Sequence, residues 1–128
     1  MPVPYRAILL AFEQARLPYV VVGSMAAKLH GEPRQPRDLD VVIDPGAGSG
    51  VTHILMAHGF FPTMPLGLGE VPIMRFFDAE GREVDAFARF AIPFGELFAR
   101  AEMADWDGAL VRVASPADLV RARELTGR

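Results

Sequence analysis

Two short apolar runs constrain this chain more than anything else in it. Tyr19-Val20-Val21-Val22 and Leu39 to Ile43 are β-branched and apolar on alternating positions of both parities. A strand of that kind has no face to offer water, so each reads as a central strand covered on both sides. Strands covered on both sides require helices, and the flanking sequence supplies them. From Pro4 to Arg16 the apolar residues Ile8, Leu9, Phe12 and Ala15 recur at the spacing of one helix face, and Leu17-Pro18 ends that helix. Gly23-Ser24 breaks the first strand, and Met25 to His30 reads as a short helix closed by Gly31.

Glu32 to Arg37, with two prolines and two arginines, reads as an ordered loop. After the second strand, Pro45 to Gly50 is a turn, and Ser49 is placed to cap a helix from Val51 to His58. Gly59 to Glu70 is a loop or a frayed strand. Ile73 to Phe77 and Glu83 to Phe90 flank the turn Asp78-Ala79-Glu80-Gly81-Arg82 and form a predicted hairpin. Pro93 to Glu102 reads as a helix and Leu110 to Val113 as a strand. Ser115-Pro116-Ala117-Asp118 carries a serine cap, a proline at the first helical position and an acid in the first turn, which opens a last helix. The expected fold class is α/β (α+β): one domain over residues 1–128, a small mixed sheet flanked by helices.

Composition agrees with a globular core and removes several functions. Of 128 residues, 51% are hydrophobic and 23% charged, far from the signature of disorder. The net charge of −3 argues against a surface coated for nucleic acid, although a local basic patch would still serve. Without cysteine there are no disulfides or thiolate ligands. No signal-peptide pattern opens the chain and no window approaches a membrane span of roughly 20 apolar residues, so a cytoplasmic protein is expected.

Chemistry-bearing residues collect after the two central strands. Asp38-Leu39-Asp40 puts two carboxylates on one strand face about 6–7 Å apart along the chain, with Leu39 turned to the core. Carboxylates that close raise each other's pKa, and a hard divalent cation such as Mg²⁺ relieves the repulsion. Taken alone, such a pair is equally a solvated strand edge. Gly23-Ser24, between a buried strand and a helix, aims backbone N–H groups at one spot suited to phosphate, or forms an ordinary turn. Arg34 and Arg37 could neutralise a triphosphate or pair with Glu32 and Asp38. Lys28, one turn from Ser24, could reach a phosphate or stand in water. Among later acids, Asp85, Glu83 and Asp78 are equal candidates by position. His30, His53 and His58 form no metal constellation. Phe60-Phe61 and Phe76-Phe77, with the methionines at 56, 64 and 74, read as core, and Trp106 as half-exposed near a turn.

The combination resembles the nucleotidyltransferase superfamily: Val22-Gly23-Ser24, then Asp38-Leu39-Asp40, then Asp85 within Val84-Asp85-Ala86. The run from Tyr19 to Ile43 is similar, almost continuously, to the small bacterial nucleotidyltransferases of the abortive-infection and toxin–antitoxin class, and Val113 to Arg128 resembles their last helix. The resemblance implies a nucleotidyltransferase-like fold and transfer of a nucleoside monophosphate from an NTP to a hydroxyl acceptor with release of pyrophosphate. It implies two Mg²⁺ ions, or Mn²⁺, with Asp38 and Asp40 binding both. Asp85 would hold the ion at the acceptor side and accept the acceptor's proton. Gly23, Ser24, Arg34, Arg37 and Lys28 would receive the nucleotide. The acceptor would be a tRNA end, a protein side chain or a small molecule, and a cognate antitoxin is a possible partner. The chain departs from such relatives at Pro36, where many carry Thr or Ser, and at Arg123, where many carry lysine. It also stops at Arg128, as a minimal version would. The alternative reading is a non-catalytic partner-binding module or a nucleotide-binding pseudoenzyme, and an exposed apolar patch from Phe94 to Phe98 would favour the former.

Overall fold

A computed structural model describes residues 4–63 and 73–126. Helix α1 (Tyr5–Gln14) leads into β1 (Tyr19–Val22), α2 (Gly23–Leu29) and β2 (Leu39–Ile43). A single 3₁₀ turn (Pro45–Ala47) and α3 (Gly48–Ala57) follow. Then come β3 (Phe61–Pro62), the hairpin β4 (Ile73–Phe77) and β5 (Glu83–Phe87), α4 (Phe94–Arg100), β6 (Glu102–Trp106), β7 (Ala109–Val113) and α5 (Pro116–Thr126). The strands form one sheet in the order β3-β4-β5-β2-β1-β7-β6. β2 runs antiparallel to β1 and parallel to β5, and β1 runs parallel to β7, so the sheet is mixed.

The two apolar runs are the central strands. All four residues of β1 are buried, and so are all of β2 except Asp40. Residues paired across a ladder share a face. On one face stand Leu39, Val41 and Ile43 with Tyr19, Val21, Val84, Ala86 and Phe76, every one at most 1% exposed. α1 seals it: Phe12 packs on Tyr19 and Tyr5 packs on Phe60, while Ile8 and Leu9 are fully buried. The other face carries Val20 and Val42 under cover, then turns polar at Asp40 and Asp85.

Several expectations are corrected. The helix after β2 starts at Gly48, three residues before the expected Val51, and Ser49 lies inside its first turn instead of capping it. The cap belongs to Asp44, whose carboxylate accepts from the Gly46 N–H at 3.2 Å at the head of the 3₁₀ turn. The helix after Pro93 ends at Arg100, and Glu102–Trp106 is an edge strand. Its signal was Asp107-Gly108, a two-residue loop between Trp106 and Ala109 with φ of 49° and 88°, the doubly left-handed turn of tight hairpins. Phe60 and Phe76 are core, but Phe61 is 54% and Met56 42% exposed; Met64 lies outside the described residues, as does most of the stretch from Gly59 to Glu70. Phe94 and Phe98 are partly buried against the core, with Arg112 stacked 4.4 Å above the Phe98 ring, so the patch that would favour a partner-binding module is not exposed there. The last helix starts as read: the Asp118 N–H donates to Ser115 Oγ at 3.1 Å, and the buried Asp118 carboxylate takes Arg100 from α4.

One side chain ties the core to the charged end of the sheet. Tyr5 is 1% exposed, and its hydroxyl lies 2.6 Å from the Arg37 carbonyl and 3.1 Å from that of Glu83. Burial, then the Asp38 charge, push its pKa up to about 12, so it stays a donor. Tyr5→Phe should lower stability by about 1 kcal/mol in urea unfolding, since two partly buried carbonyls lose a hydrogen bond without a change of shape. No loss would mean that water replaces the hydroxyl.

Candidate active site

The charged end of the sheet is a row fixed by strand register. Arg75 on β4 pairs with Asp85 on β5, Asp85 pairs with Asp40 on β2, and Asp40 pairs with Val22 on β1. All therefore share one face, and adjacent strands stand about 4.8 Å apart. Two residues back along the chain, Asp38 lies before the first ladder pair, Leu39 with Val84, which places it alongside Glu83. Four acids thus occupy two neighbouring strands in a two-by-two array. The hairpin turn settles one alternative: Asp78 is spent on the backbone N–H groups of Glu80 and Arg82 and on the Arg82 guanidinium at 2.6 Å. Glu83, by contrast, stands within the array.

The four acids are not equivalent. Asp85 is 6% exposed and receives two N–H groups of Arg75, Nε at 3.1 Å and Nη2 at 3.4 Å. Arg75 Nε also lies 3.4 Å from Glu83 Oε2. Burial raises the Glu83 pKa from 4.5 to about 7, with the neighbouring Asp85 and Asp38 pushing the same way and Arg75 opposing them. Asp38 is exposed at the rim, and Asp40 is half-buried.

Asp40 also defines a second feature. Gly23 has φ of +70°, and a Cβ placed on it would lie 2.7 Å from Asp40 Oδ2. The glycine is thus required twice, by the left-handed backbone and by a carboxylate pressed against it. Gly23 and Ser24 belong to α2, which starts two residues earlier than the sequence indicates. Beside them opens a cavity of about 860 Å³, within the roughly 300–1,000 Å³ typical of ligand sites. Its polar lining is Gly23, Ser24, Asp40, Arg34, Arg89, Arg123 and Thr126; its apolar wall is built from Phe87, Phe90, Ile73 and, from α5, Leu119 and Ala122. Phe87 and Phe90 meet edge to face at 5.6 Å, which stiffens that wall.

Four residues singled out in the sequence, Gly23, Ser24, Arg34 and Asp40, therefore share one cavity. Asp38, Asp85, Arg37 and Lys28 are not in its lining. Lys28 Nζ donates to the Arg34 carbonyl at 3.2 Å, fastening the arginine loop to α2. Arg34 pairs with Glu32 at 3.2 Å rather than with the aspartates, and Arg123 Nη2 comes within 3.9 Å of the same carboxylate. Arg89 and Arg75 carried no sequence signal, because neither sits in a motif and register alone brings them here. His30 bonds the Ala114 carbonyl and His58 that of Ile54; neither reaches the site.

The donor set is carboxylate oxygen, the chemistry a hard divalent cation requires, and Asp40 and Asp85 are ladder neighbours. Among the described residues, however, no three acidic, histidine or cysteine side chains converge as a ready cage. The charge beside Asp85 is balanced by Arg75. The donor set fits a hard cation in type, and Asp85 is held by Arg75.

No protein-family model and no curated protein matches the chain. Its fold does match solved structures. A candidate nucleotidyltransferase from Thermotoga maritima superposes with a TM-score of 0.76 at 17% identity, over 97% of this chain and 83% of that one. The lincosamide antibiotic adenylyltransferase LnuA, with lincomycin bound, gives 0.69 at 16% identity over 90% and 80%. ANT(2″)-Ia in complex with adenylyl-2″-tobramycin gives 0.63 at 18% identity over 92% and 82%. The chain has the nucleotidyltransferase-like fold. Among the described residues no helix is long and apolar enough to cross a membrane.

Two predictions follow from this geometry. Gly23→Ala should lower stability by about 1–2 kcal/mol, and the cost should shrink in an Asp40→Ala background, because part of it is the carboxylate contact. Equal costs in both backgrounds would assign the whole effect to the backbone. For Glu83, the folded pKa lies above its ordinary value, so the stabilisation that accompanies its proton is complete below pH 4.5 and is lost as the pH rises through about 7. In chelator, Glu83→Gln should therefore match the wild type near about pH 5 and exceed it near about pH 8 in urea midpoint. A gap independent of pH would contradict the assignment.

Proposed function

We propose that the cavity binds a nucleoside triphosphate and that the chain transfers the nucleoside monophosphate to a hydroxyl acceptor, releasing pyrophosphate. The observation that carries this reading is the meeting, at Asp40, of an arginine-lined cavity with a two-strand carboxylate array. Arg34, Arg89 and Arg123 would neutralise the phosphates, and Ser24 with the Gly23 backbone would orient them at the head of α2. The Phe87–Phe90 wall offers the base an apolar, aromatic surface. Lys28 would act on the phosphates only through the loop it holds, and Arg37 from the rim.

The acceptor oxygen forms the new bond to the α-phosphorus while the bond to the β-phosphate oxygen breaks and pyrophosphate departs. Asp85, one strand beyond Asp40, would take the acceptor's proton on a carboxylate oxygen once released from Arg75. Asp38, Asp40 and Asp85 would hold two Mg²⁺ ions, with Mn²⁺ as a substitute, and these would supply charge neutralisation at the transferred group. Most of the acceleration would come from positioning and preorganised charge. LnuA binds lincomycin, and ANT(2″)-Ia forms a complex with adenylyl-2″-tobramycin. A small hydroxylated acceptor suits a chain of net charge −3 better than tRNA does. A cytoplasmic setting, where NTP and Mg²⁺ are available, goes with this reading.

One observation favours a second reading. The Arg75 pair on Asp85 is what a pseudoenzyme would show, with nucleotide bound and the third acid withdrawn. Thermal unfolding with each NTP, with and without Mg²⁺, tests both. At about 100 times Kd a ligand adds roughly 2.7 kcal/mol, which is several degrees for a domain of this size. A Mg²⁺-dependent shift that Asp40→Asn abolishes supports the site, and radiolabel transfer to an acceptor then separates enzyme from pseudoenzyme. No shift with any NTP would overturn the nucleotide reading and favour a partner-binding module.

A further inference from the structure

Arg75 is the least expected member of the charged row. It stands on β4, outside the strands that carry the motif, and its register partner is Asp85. Its guanidinium makes both N–H contacts to Asp85 and a third approach to Glu83 at 3.4 Å. The partners differ sharply in exposure: the Asp85 side chain is 9% accessible and that of Arg75 52%. The buried carboxylate is thus held by an arginine whose side chain is half exposed. A guanidinium cannot shed its charge, so it serves as a permanent counter-cation to an acid array that otherwise repels itself.

We propose that Arg75 is a displaceable internal counter-cation that competes with a divalent cation for Asp85, and so sets how tightly the array binds metal. The inference rests on the metal-dependent reading above. Any ion that takes an oxygen of Asp85 must displace at least one of the two N–H contacts and approach the arginine's charge. Release is inexpensive, because a half-exposed arginine regains water on leaving, and ion pairs of that exposure contribute little. The device lets the array stay intact without metal and opens Asp85 only when a stronger cation arrives. Arg75 touches neither substrate nor reacting atoms here; it is a positioning residue for Asp85.

The test is calorimetric titration of Mn²⁺ alone into wild type, Arg75→Met and Arg75→Lys, with Asp40→Asn as the reference for site binding. Removing a unit charge a few ångströms from the ion should tighten Mn²⁺ binding roughly tenfold or more in Arg75→Met. The lysine keeps the charge but loses the two-pronged contact, so Arg75→Lys should bind more tightly than wild type by a smaller factor. Metal-free Arg75→Met should also melt below wild type, with the larger gain in Tm on adding Mn²⁺. If Arg75→Met fails to fold, the lysine variant decides. Equal affinity in wild type and the folded variants, lost in Asp40→Asn, would overturn the role of Arg75 while leaving the metal site standing. No Mn²⁺ binding in wild type or either variant would overturn both.

Discussion

The burial of β2 on both faces governs where charge can stand in this molecule. Leu39, Val41, Val42 and Ile43 have no access to water, and β1 beside them is buried along its length. An ionised side chain in that region would meet a large desolvation penalty anywhere but at the strand's edge of cover. Asp40 occupies that edge, where β1 ends and α2 turns away. Its position then dictates Gly23, since no other residue tolerates both the φ of +70° and the carboxylate at 2.7 Å. The register of β2 with β5 brings Asp85 alongside, and that of β4 with β5 brings Arg75. The site is a consequence of one strand's place in the sheet.

Charge is sorted between the cavity and the acid array. The cavity, which runs from Val22 and Gly23 to Ile73 and Phe87, is lined by Arg34, Arg89 and Arg123 and by no acid but Asp40. Outside its lining stand Asp38, Glu83 and Asp85, with Arg75 among them. A triphosphate is repelled by the second region and attracted by the first. In the proposed reaction the polyphosphate and the pyrophosphate leaving group therefore belong in the cavity, and the acceptor approaches over β5. Glu32 adds a restraint, drawing Arg34 at 3.2 Å and Arg123 at 3.9 Å toward one rim carboxylate from two elements distant in sequence.

Local sequence carries the central strands, α1, the hairpin and the capped start of α5, because each depends on periodicity or on turn and cap chemistry confined to a few residues. It also carries Gly23, Ser24, Arg34 and Asp40, which lie within 18 positions of one another around two adjacent antiparallel strands. What it does not carry is register between distant segments. Nothing in Ile73–Phe77 says that Arg75 rather than Met74 faces the acids; that follows from the pairing with β5. Arg89 and Arg123 enter the cavity through the path of the chain after β5 and the packing of α5 on α2. β6 was missed for a different reason. Its mixed composition, Glu-Met-Ala-Asp-Trp, is that of an edge strand, and the Asp-Gly turn was the only strong signal it offered.

Whether the acids gather in an open cleft or are paired off by basic residues separates a working site from a vestigial one, and this chain does some of each. Arg34 and Arg37 leave the aspartates alone: one is held by Glu32, and the other contributes its carbonyl to Tyr5. Asp85 is taken by Arg75, which comes from β4. Gly23 and Asp40 have a mutual fit that stability alone would not select. Gly23 in a left-handed conformation adds unfolded-state entropy, and Asp40 leaves a carboxylate on an otherwise buried strand. The Phe94–Phe98 surface offers no competing use, since both rings lie partly in the core and Arg112 covers one of them. A pair of costly residues fitted to each other beside a cationic cavity is better accounted for by a ligand with negative charge than by the fold.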